Sequence, residues 1–305
     1  MKVGVNLINF GPGANPQSLK RWVQLSENLG YHLMMTSDHI GMTPDVQTRY
    51  PAPFYEPIST LGWMAGITEK MEIGTTVIIA PYRNVLELAR ACANVDQLSG
   101  GRLILGVGVG WAQQEFKALG VPFRHRGAIT NEILEAIDLL WTQDVASYDG
   151  RFVSFQDVNT APRPVRSPKP PIWVGGASDQ ALRRTVHYAD AWHPIRIRVD
   201  WLKGTGIPRL TEIAAEEGRP VPEICPRIRL RITDSEVPED RRVAGEGSVE
   251  QIRRDMAGLE ELGCQYVLLD NYYDDLEAIK NNEASWSMLA VMAEKVVDLG
   301  RETIY

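Results

Sequence analysis

The side chains best suited to chemistry form one titratable cluster and three glycine clusters, each placed at the end of a short apolar run. Ser37, Asp38 and His39 follow Leu33–Thr36 directly. Three contiguous side chains cannot form a nucleophilic triad, which is assembled across a fold by geometry. Asp38 and His39 are instead a titratable pair, with His39 as a carrier of protons near neutral pH. The competing reading is a loop histidine paired with a neighbouring carboxylate.

Gly106, Gly108 and Gly110 alternate with Val107 and Val109 and end at Trp111. A dinucleotide fingerprint requires G-x-G-x-x-G, and Trp111 stands where its third glycine belongs. Alternating glycines still strip one face of a strand end, which lets a flat ligand approach the backbone. The alternative is small residues fitted to a crowded space. Gly175-Gly176-Ala177-Ser178 ends another apolar run and opens an amphipathic segment. Amides at a helix N-terminus favour phosphate, and Ser178 is a natural N-cap. An ordinary capped helix explains the same residues. Gly74-Thr75-Thr76-Val77 has the composition of a bulge on which a ligand could lean.

Positioning these residues requires strands and helices in alternation. Strands are expected at Val3–Asn9, Leu33–Thr36, Glu72–Ala80, Leu103–Val109, Ile172–Val174, Asp190–Pro194, Ile224–Thr233 and Tyr266–Asp270. Helices are expected at Pro16–Leu29, Ile58–Ile67, around Val85–Val95, Ile129–Trp141, Ser178–Tyr188, Trp201–Glu217, around Val249–Leu259, and Trp286–Leu299. Several show apolar positions at i, i+3 and i+4, the stripe of a helix face. Strands this apolar fit a parallel sheet covered by helices. Eight such units make a closed (β/α)8 barrel the expected fold, ahead of a doubly wound open sheet. No composition break or Gly/Ser linker divides the chain, so residues 1–305 are read as a single domain. Ile40–Glu56, Val145–Pro171 and Ser235–Gly247 exceed ordinary barrel loops and are read as lids or binding loops. Ile40–Glu56, with Tyr50, Phe54 and Tyr55, follows a strand and so belongs to the end where barrel active sites lie.

The 305 residues carry 32 Lys and Arg against 39 Asp and Glu, a net charge of −7 that disfavours a nucleic-acid surface. No apolar stretch approaches the ~18 residues of a membrane span. The N-terminal MKVGVNLINFGPG runs straight into a strand pattern and carries no secretory core. Cys92, Cys225 and Cys264 lie far apart, and the five histidines show no H-E-x-x-H or helical ligand spacing, so no metal site is expected. A P-loop, a G-x-S-x-G elbow and a kinase signature are absent. The expectation is a soluble, cytoplasmic enzyme acting on a small molecule.

The SDH triplet at Ser37–His39, GTTVIIAPYRN at Gly74–Asn84, DQLSGGRLILGVGVGWAQQEF at Asp96–Phe116, RHRG…NEIL from Arg124, and PPIWVGGASDQALRR with ADAW at Pro170–Arg184 and Ala189–Trp192 together resemble the luciferase-like monooxygenase superfamily. The likeness extends over nearly the whole chain. It implies a TIM barrel that binds coenzyme F420 or FMN at the C-terminal ends of its strands. An Asp-His pair after the second strand is similar to the F420-dependent branch. On that resemblance His39 is the catalytic residue, with Asp38 at the cofactor. Thr76 and Val77 form a bulge, often through a non-prolyl cis peptide, behind the ring. Gly106, Gly108 and Gln114 line the ring and its side chain, and Gly175, Gly176, Ala177 and Ser178 hold the phosphate. The sugar-phosphate dehydrogenases of this branch carry a tryptophan after the SDH triplet and a glutamate after the fourth-strand glycines. Here Ile40-Gly41-Met42-Thr43-Pro44 and Trp111 stand in those places, which leaves the substrate open. The reading is hydride transfer between F420 and a small organic substrate. The alternatives are an FMNH2-dependent two-component monooxygenase and a non-catalytic flavin carrier, with a metal-dependent hydrolase a weaker third. A homodimer is compatible with the family, and no segment identifies its interface.

Overall fold

The computed structural model describes residues 1–305 except Tyr273 and Ala278. Eight parallel strands alternate with eight long helices. The strands are β1 (Lys2–Leu7), β2 (Leu33–Thr36), β3 (Glu72–Thr75), β4 (Leu103–Gly108), β5 (Ile172–Gly175), β6 (Ala191–His193), β7 (Glu223–Ile224 and Arg227–Arg229) and β8 (Tyr266–Asp270). The helices are α1 (Pro16–Leu29), α2 (Pro57–Ile67), α3 (Val85–Ser99), α4 (Arg126–Thr142), α5 (Asp179–Tyr188), α6 (Ile207–Glu216), α7 (Val249–Glu261) and α8 (Glu283–Lys295). Each strand pairs with the next, and β8 pairs with β1. The two halves of β7 complete the ring, Glu223–Ile224 on β6 and Arg227–Arg229 on β8. Cys225 N to Trp192 O (2.9 Å) and Arg227 N to Pro194 O (2.8 Å) carry the β6 ladder across the interruption. The result is the expected (β/α)8 barrel.

Alternation along each strand divides the core in two. Leu33, Met35, Ile104, Trp173, Ala191, Cys225 and Leu268 fill the barrel interior. Their neighbours Met34, Leu103, Leu105, Ile172, Trp192, Val267 and Leu269 face outward and join the larger core under the helices. Both faces of every strand are therefore buried, which explains the near-continuous apolar runs. Helix ends follow local chemistry. Asn15 and Ser18 form a capping box at α1, Ser248 and Gln251 another at α7, and Gly30 closes α1 at φ 91°.

Two expected strands are interrupted. Glu72–Ala80 stops at Thr75 and resumes as Ile78–Ile79, which pairs again with β4 at Val107 and Gly108. The Thr76–Val77 peptide between the halves is cis. Ile224–Thr233 breaks at Cys225-Pro226, where proline offers no amide, and its end, Arg231–Ile232, pairs with Glu246–Gly247 outside the barrel. The helix expected at Trp201–Glu217 begins with a π-turn at Leu202–Gly206, ahead of α6. The expected Trp286–Leu299 helix is shifted towards the N-terminus, ending at Lys295 before a short strand at Val297–Asp298.

The long loops are anchored in place. Tyr55 N donates to Asn9 O (2.8 Å), Gly11 N to Pro53 O (2.8 Å), and Phe10 stacks on Phe54 at 5.3 Å, folding Ile40–Glu56 over the barrel mouth. Within Val145–Pro171, a hairpin of Val145–Asp149 with Ser154–Asn159 is tied to α4 through Glu132, which accepts from Phe152 N (2.7 Å) and Val153 N (2.9 Å). Arg242 in Ser235–Gly247 is buried and forks onto Asp255 of α7, with Nε donating to Glu246 O at 2.8 Å.

The β3 interruption explains the β4 glycines. A Cβ on Gly106 would lie 1.9 Å from Thr75 O, and one on Gly108 2.5 Å from Val77 Cγ2. A Cβ on Gly175 would lie 3.3 Å from Val77 Cγ1. Gly106 makes way for the Thr75 carbonyl and Gly108 and Gly175 for Val77, so the bareness of all three is already used by the protein itself. Gly108→Ala is expected to cost ~1–3 kcal/mol in urea denaturation, the range for overpacking. Val77→Ala should relieve most of that loss in the double variant, and an undiminished loss there would rule out shared space.

Candidate active site

The C-terminal ends of the strands gather the polar groups. His39 follows β2, is 6% exposed, and lies with its imidazole 5.0 Å from the Tyr50 ring, 5.6 Å from Phe54 and 5.7 Å from Trp111. Its Nδ1 is 2.7 Å from Glu115 Oε2. Glu115 is wholly buried and also accepts from Ile40 N (2.7 Å), Gly41 N (2.9 Å) and Tyr82 Oη (3.0 Å). Burial pushes its carboxyl up, but the hydrogen bonds and positive charge of His39 and the two loop amides outweigh it, leaving Glu115 below the usual carboxylate value. When neutral, the ring carries its proton on Nδ1, directed at the carboxylate, and keeps a lone pair on Nε2. That arrangement suits a group that takes or gives a proton.

Asp38 does not pair with His39. Its carboxylate is held by Arg83, Nη1 at 2.7 Å and Nη2 at 2.9 Å, and by Ile79 N at 2.8 Å. These partners brace the β2 end against the strand resuming at Ile78. Gln114 is turned outward on the short helix Gln113–Ala118, exposed, with its backbone N on Asp45 Oδ2 at 2.9 Å. The side chain that turns inward is its neighbour Glu115. Nothing in the sequence singled out Glu115, and only its single-residue offset from Gln114 on this helix decided which way it faced.

Across the mouth, Thr76 is held from two strands. His193 Nδ1 donates to Cys225 O at 2.5 Å, so Nε2 accepts, and Thr76 Oγ1 donates to it at 2.9 Å. Arg227 Nη1 donates to Thr76 O (2.9 Å) and Oγ1 (3.2 Å), while its Nε and Nη2 hold Asp270 Oδ2 at 3.0 and 2.7 Å. Asn6 Nδ2 donates to Asp270 Oδ1 at 2.9 Å. Asn6, His193, Arg227 and Asp270 were not marked in the sequence, because they come from β1, β6, β7 and β8 and come together with Thr76 only when the barrel closes. Beside them Tyr50, Tyr272, Ile195, Arg196, Arg227, Asp270 and Asp274 line a cavity of about 40 Å³.

The Gly175–Ser178 loop is exposed at the N-terminus of α5. Gly176 adopts φ 103°, its carbonyl accepts from Trp192 Nε1 at 2.7 Å, and the Ser178 side chain caps α5 on Ala181 N. Arg209 neutralises the first-turn Asp179 at 2.6 Å, which removes the obvious repulsion against an anion. A larger cleft, about 1380 Å³, opens at the opposite end of the barrel around Trp173 and Tyr266. Lys2 and Lys169 there are paired with Glu72 and Asp138, and the glycine loops and His39 are not among its walls, so the C-terminal end is the better candidate. Among the described residues no group of acidic, His or Cys side chains is arranged to hold a metal, and no helix is long and apolar enough to cross a membrane.

A parallel barrel with its polar cluster and glycine loops at the C-terminal mouth places them where barrel enzymes carry their active sites. The luciferase-like monooxygenase pattern matches residues 1–236, and the chain belongs to that family. The uncharacterized protein Rv0953c of Mycobacterium tuberculosis is 29% identical over 246 residues, 73% of this chain and 86% of the relative. The FMNH(2)-dependent dimethylsulfone monooxygenase of Pseudomonas putida is 28% identical over 182 residues, 57% of this chain and 47% of that enzyme. Among solved structures, an F420-dependent secondary alcohol dehydrogenase in complex with an F420-acetone adduct shares the fold with TM-score 0.77 at 17% identity, covering 96% of this chain and 97% of that one. The oxygenating constituent of 3,6-diketocamphane monooxygenase from Pseudomonas putida, in complex with FMN, does so at 0.74 and 15%, with coverage of 96% and 97%.

Burial lowers the His193 imidazole from 6.5 to about 4, so the ring is neutral at pH 7. The folded state resists its protonation; the stability this contributes is fully present above pH 6.5 and lost as pH falls towards 4. The drop is on the order of 3 kcal/mol. Denaturation across pH 4–7 should show a steeper acid loss for wild type than for His193→Gln, and identical slopes would exclude His193 as its source.

Proposed function

We propose that this protein transfers a hydride between the deazaflavin coenzyme F420 and a small organic substrate, with residues 1–305 acting as a single domain. The observation that carries the reading is the His39–Glu115 pair at the end of β2, a buried imidazole with one nitrogen on a carboxylate and the other free for a proton. When bound, the coenzyme supplies two-electron hydride chemistry. Val77, seated among Gly106, Gly108 and Gly175, offers an apolar surface beside Thr76 for one face of a planar ring. Gly175, Gly176, Ala177 and Ser178 hold the phosphate with loop amides and the Ser178 hydroxyl. His39 would take a proton from the substrate as it is oxidised, or return it in the reverse direction, while Glu115 would keep the ring oriented and stabilise the imidazolium. Tyr50, Phe54 and Trp111 surround His39 and exclude water from the transfer. The fold shared with the F420-dependent alcohol dehydrogenase is consistent with this chemistry.

The second reading, an FMNH2-dependent monooxygenase, draws on the sequence likeness to the dimethylsulfone enzyme. Fluorescence titration of the purified protein with F420 and with FMN separates the two. Tight binding of F420 is expected; binding of FMN alone would reverse the choice. His39→Ala should keep F420 affinity and lose about 10²–10⁴-fold in turnover, the range of general acid–base catalysis. Turnover equal to wild type would remove His39 from the mechanism.

A further inference from the structure

Thr76 is held at the barrel mouth through both its hydroxyl and its carbonyl. Its hydroxyl donates to His193 Nε2 and accepts from Arg227 Nη1, and its carbonyl accepts from the same nitrogen. The direction of this chain is unambiguous. His193 Nδ1 must donate, because Cys225 O has no proton to give, so Nε2 must accept. Arg227 cannot swing away, since its other donors hold Asp270, which Asn6 holds in turn. Oxygen atoms on both sides of the Thr76 α-carbon are thus fixed from β6 and β7, while Thr76 N donates to Thr36 O at 2.8 Å on the β2 side. The next residue, Val77, has its side chain wedged among three glycines with no slack for a Cβ on Gly108.

We propose that Arg227 and His193 are positioning residues, which fix the Thr76–Val77 peptide plane through the Thr76 carbonyl and hydroxyl and so set the surface on which the redox ring rests. The inference rests on the reading that this segment backs the ring. Neither residue need touch the substrate. All three Arg227 nitrogens, Nε, Nη1 and Nη2, donate within the protein. Its use is geometric: a tilted Val77 would change the depth and angle at which a planar group settles against the mouth, and with it the distance to a substrate stacked on the other face. Hydride transfer is sensitive to such misplacement.

The test compares Thr76→Val, which keeps the shape and removes only the hydroxyl, with Thr76→Ser, which keeps the hydroxyl. Arg227→Lys retains a cation against Asp270 but loses the fork that reaches Thr76. Dissociation constants for F420 and FMN are read by fluorescence, turnover is measured at saturating cofactor, and melting temperatures report folding. Thr76→Val and Arg227→Lys are each expected to weaken cofactor binding by about tenfold, the effect of one buried hydrogen bond left unmade, and to lower kcat as well. Thr76→Ser should stay within about twofold of wild type, within the spread of such contacts. Lower melting temperatures with unchanged affinity and kcat per folded molecule would reduce the cluster to a structural role and overturn the inference. Wild-type protein that binds neither coenzyme would overturn the functional reading itself. Either variant alone suffices if the other does not fold.

Discussion

The fork of Arg227 between Asp270 and Thr76 is the contact around which the barrel mouth is organised. A buried guanidinium and carboxylate are tolerated only when hydrogen bonds satisfy nearly every remaining donor and acceptor. Here Asn6 completes Asp270, Thr76 completes Arg227, and His193 completes Thr76. The chain joins β1, β8, β7, β3 and β6 above an interior layer of Leu33, Ile104, Trp173 and Leu268. Apolar packing closes the barrel lower down. At the mouth, where strands diverge and loops begin, a polar lattice holds the strand ends together.

That lattice explains why β3 and β7 are broken and the other strands are not. β3 must leave the ladder for Thr76 to face His193 and Arg227, and β4 must be bare of side chains to admit Val77. β7 exchanges neighbours at Cys225-Pro226, which frees Cys225 O for His193. Both interruptions leave a backbone oxygen, Thr76 O and Cys225 O, to accept from a side chain across the mouth.

His39 is held by a separate set of groups on the other side of the opening. Glu115 gathers its imidazole, two loop amides and the Tyr82 hydroxyl, and Asp38 binds Arg83 and Ile79 N beside it. The two carboxylates divide the work, with Asp38 securing the strand end and Glu115 orienting the ring. The aromatic residues of the Ile40–Glu56 loop cover this arrangement and leave little open volume beside it. A barrel mouth already lined by preorganised dipoles and shielded from bulk water suits charge-separating transfer chemistry.

The alternation of apolar runs and amphipathic stripes was enough to establish the barrel and most of its elements. Periodicity reports which face is buried, and in a parallel barrel every strand is buried twice. The glycine clusters and the SDH triplet likewise marked the strand ends that carry the site. What the linear order could not contain is which side chains meet. Gln114 and Glu115 are equally polar neighbours, and only the turn of a six-residue helix put one outside and the other on His39. The β4 glycines signalled a close approach, but whether by a ligand or by Val77 depended on an interruption one strand away. His193, Arg227 and Asp270 carried no motif, since a partnership between residues 32 to 264 positions apart exists only once the sheet has closed. Local sequence governs conformation through short-range sterics and burial, whereas buried hydrogen-bond partners are selected by closure of the whole ring.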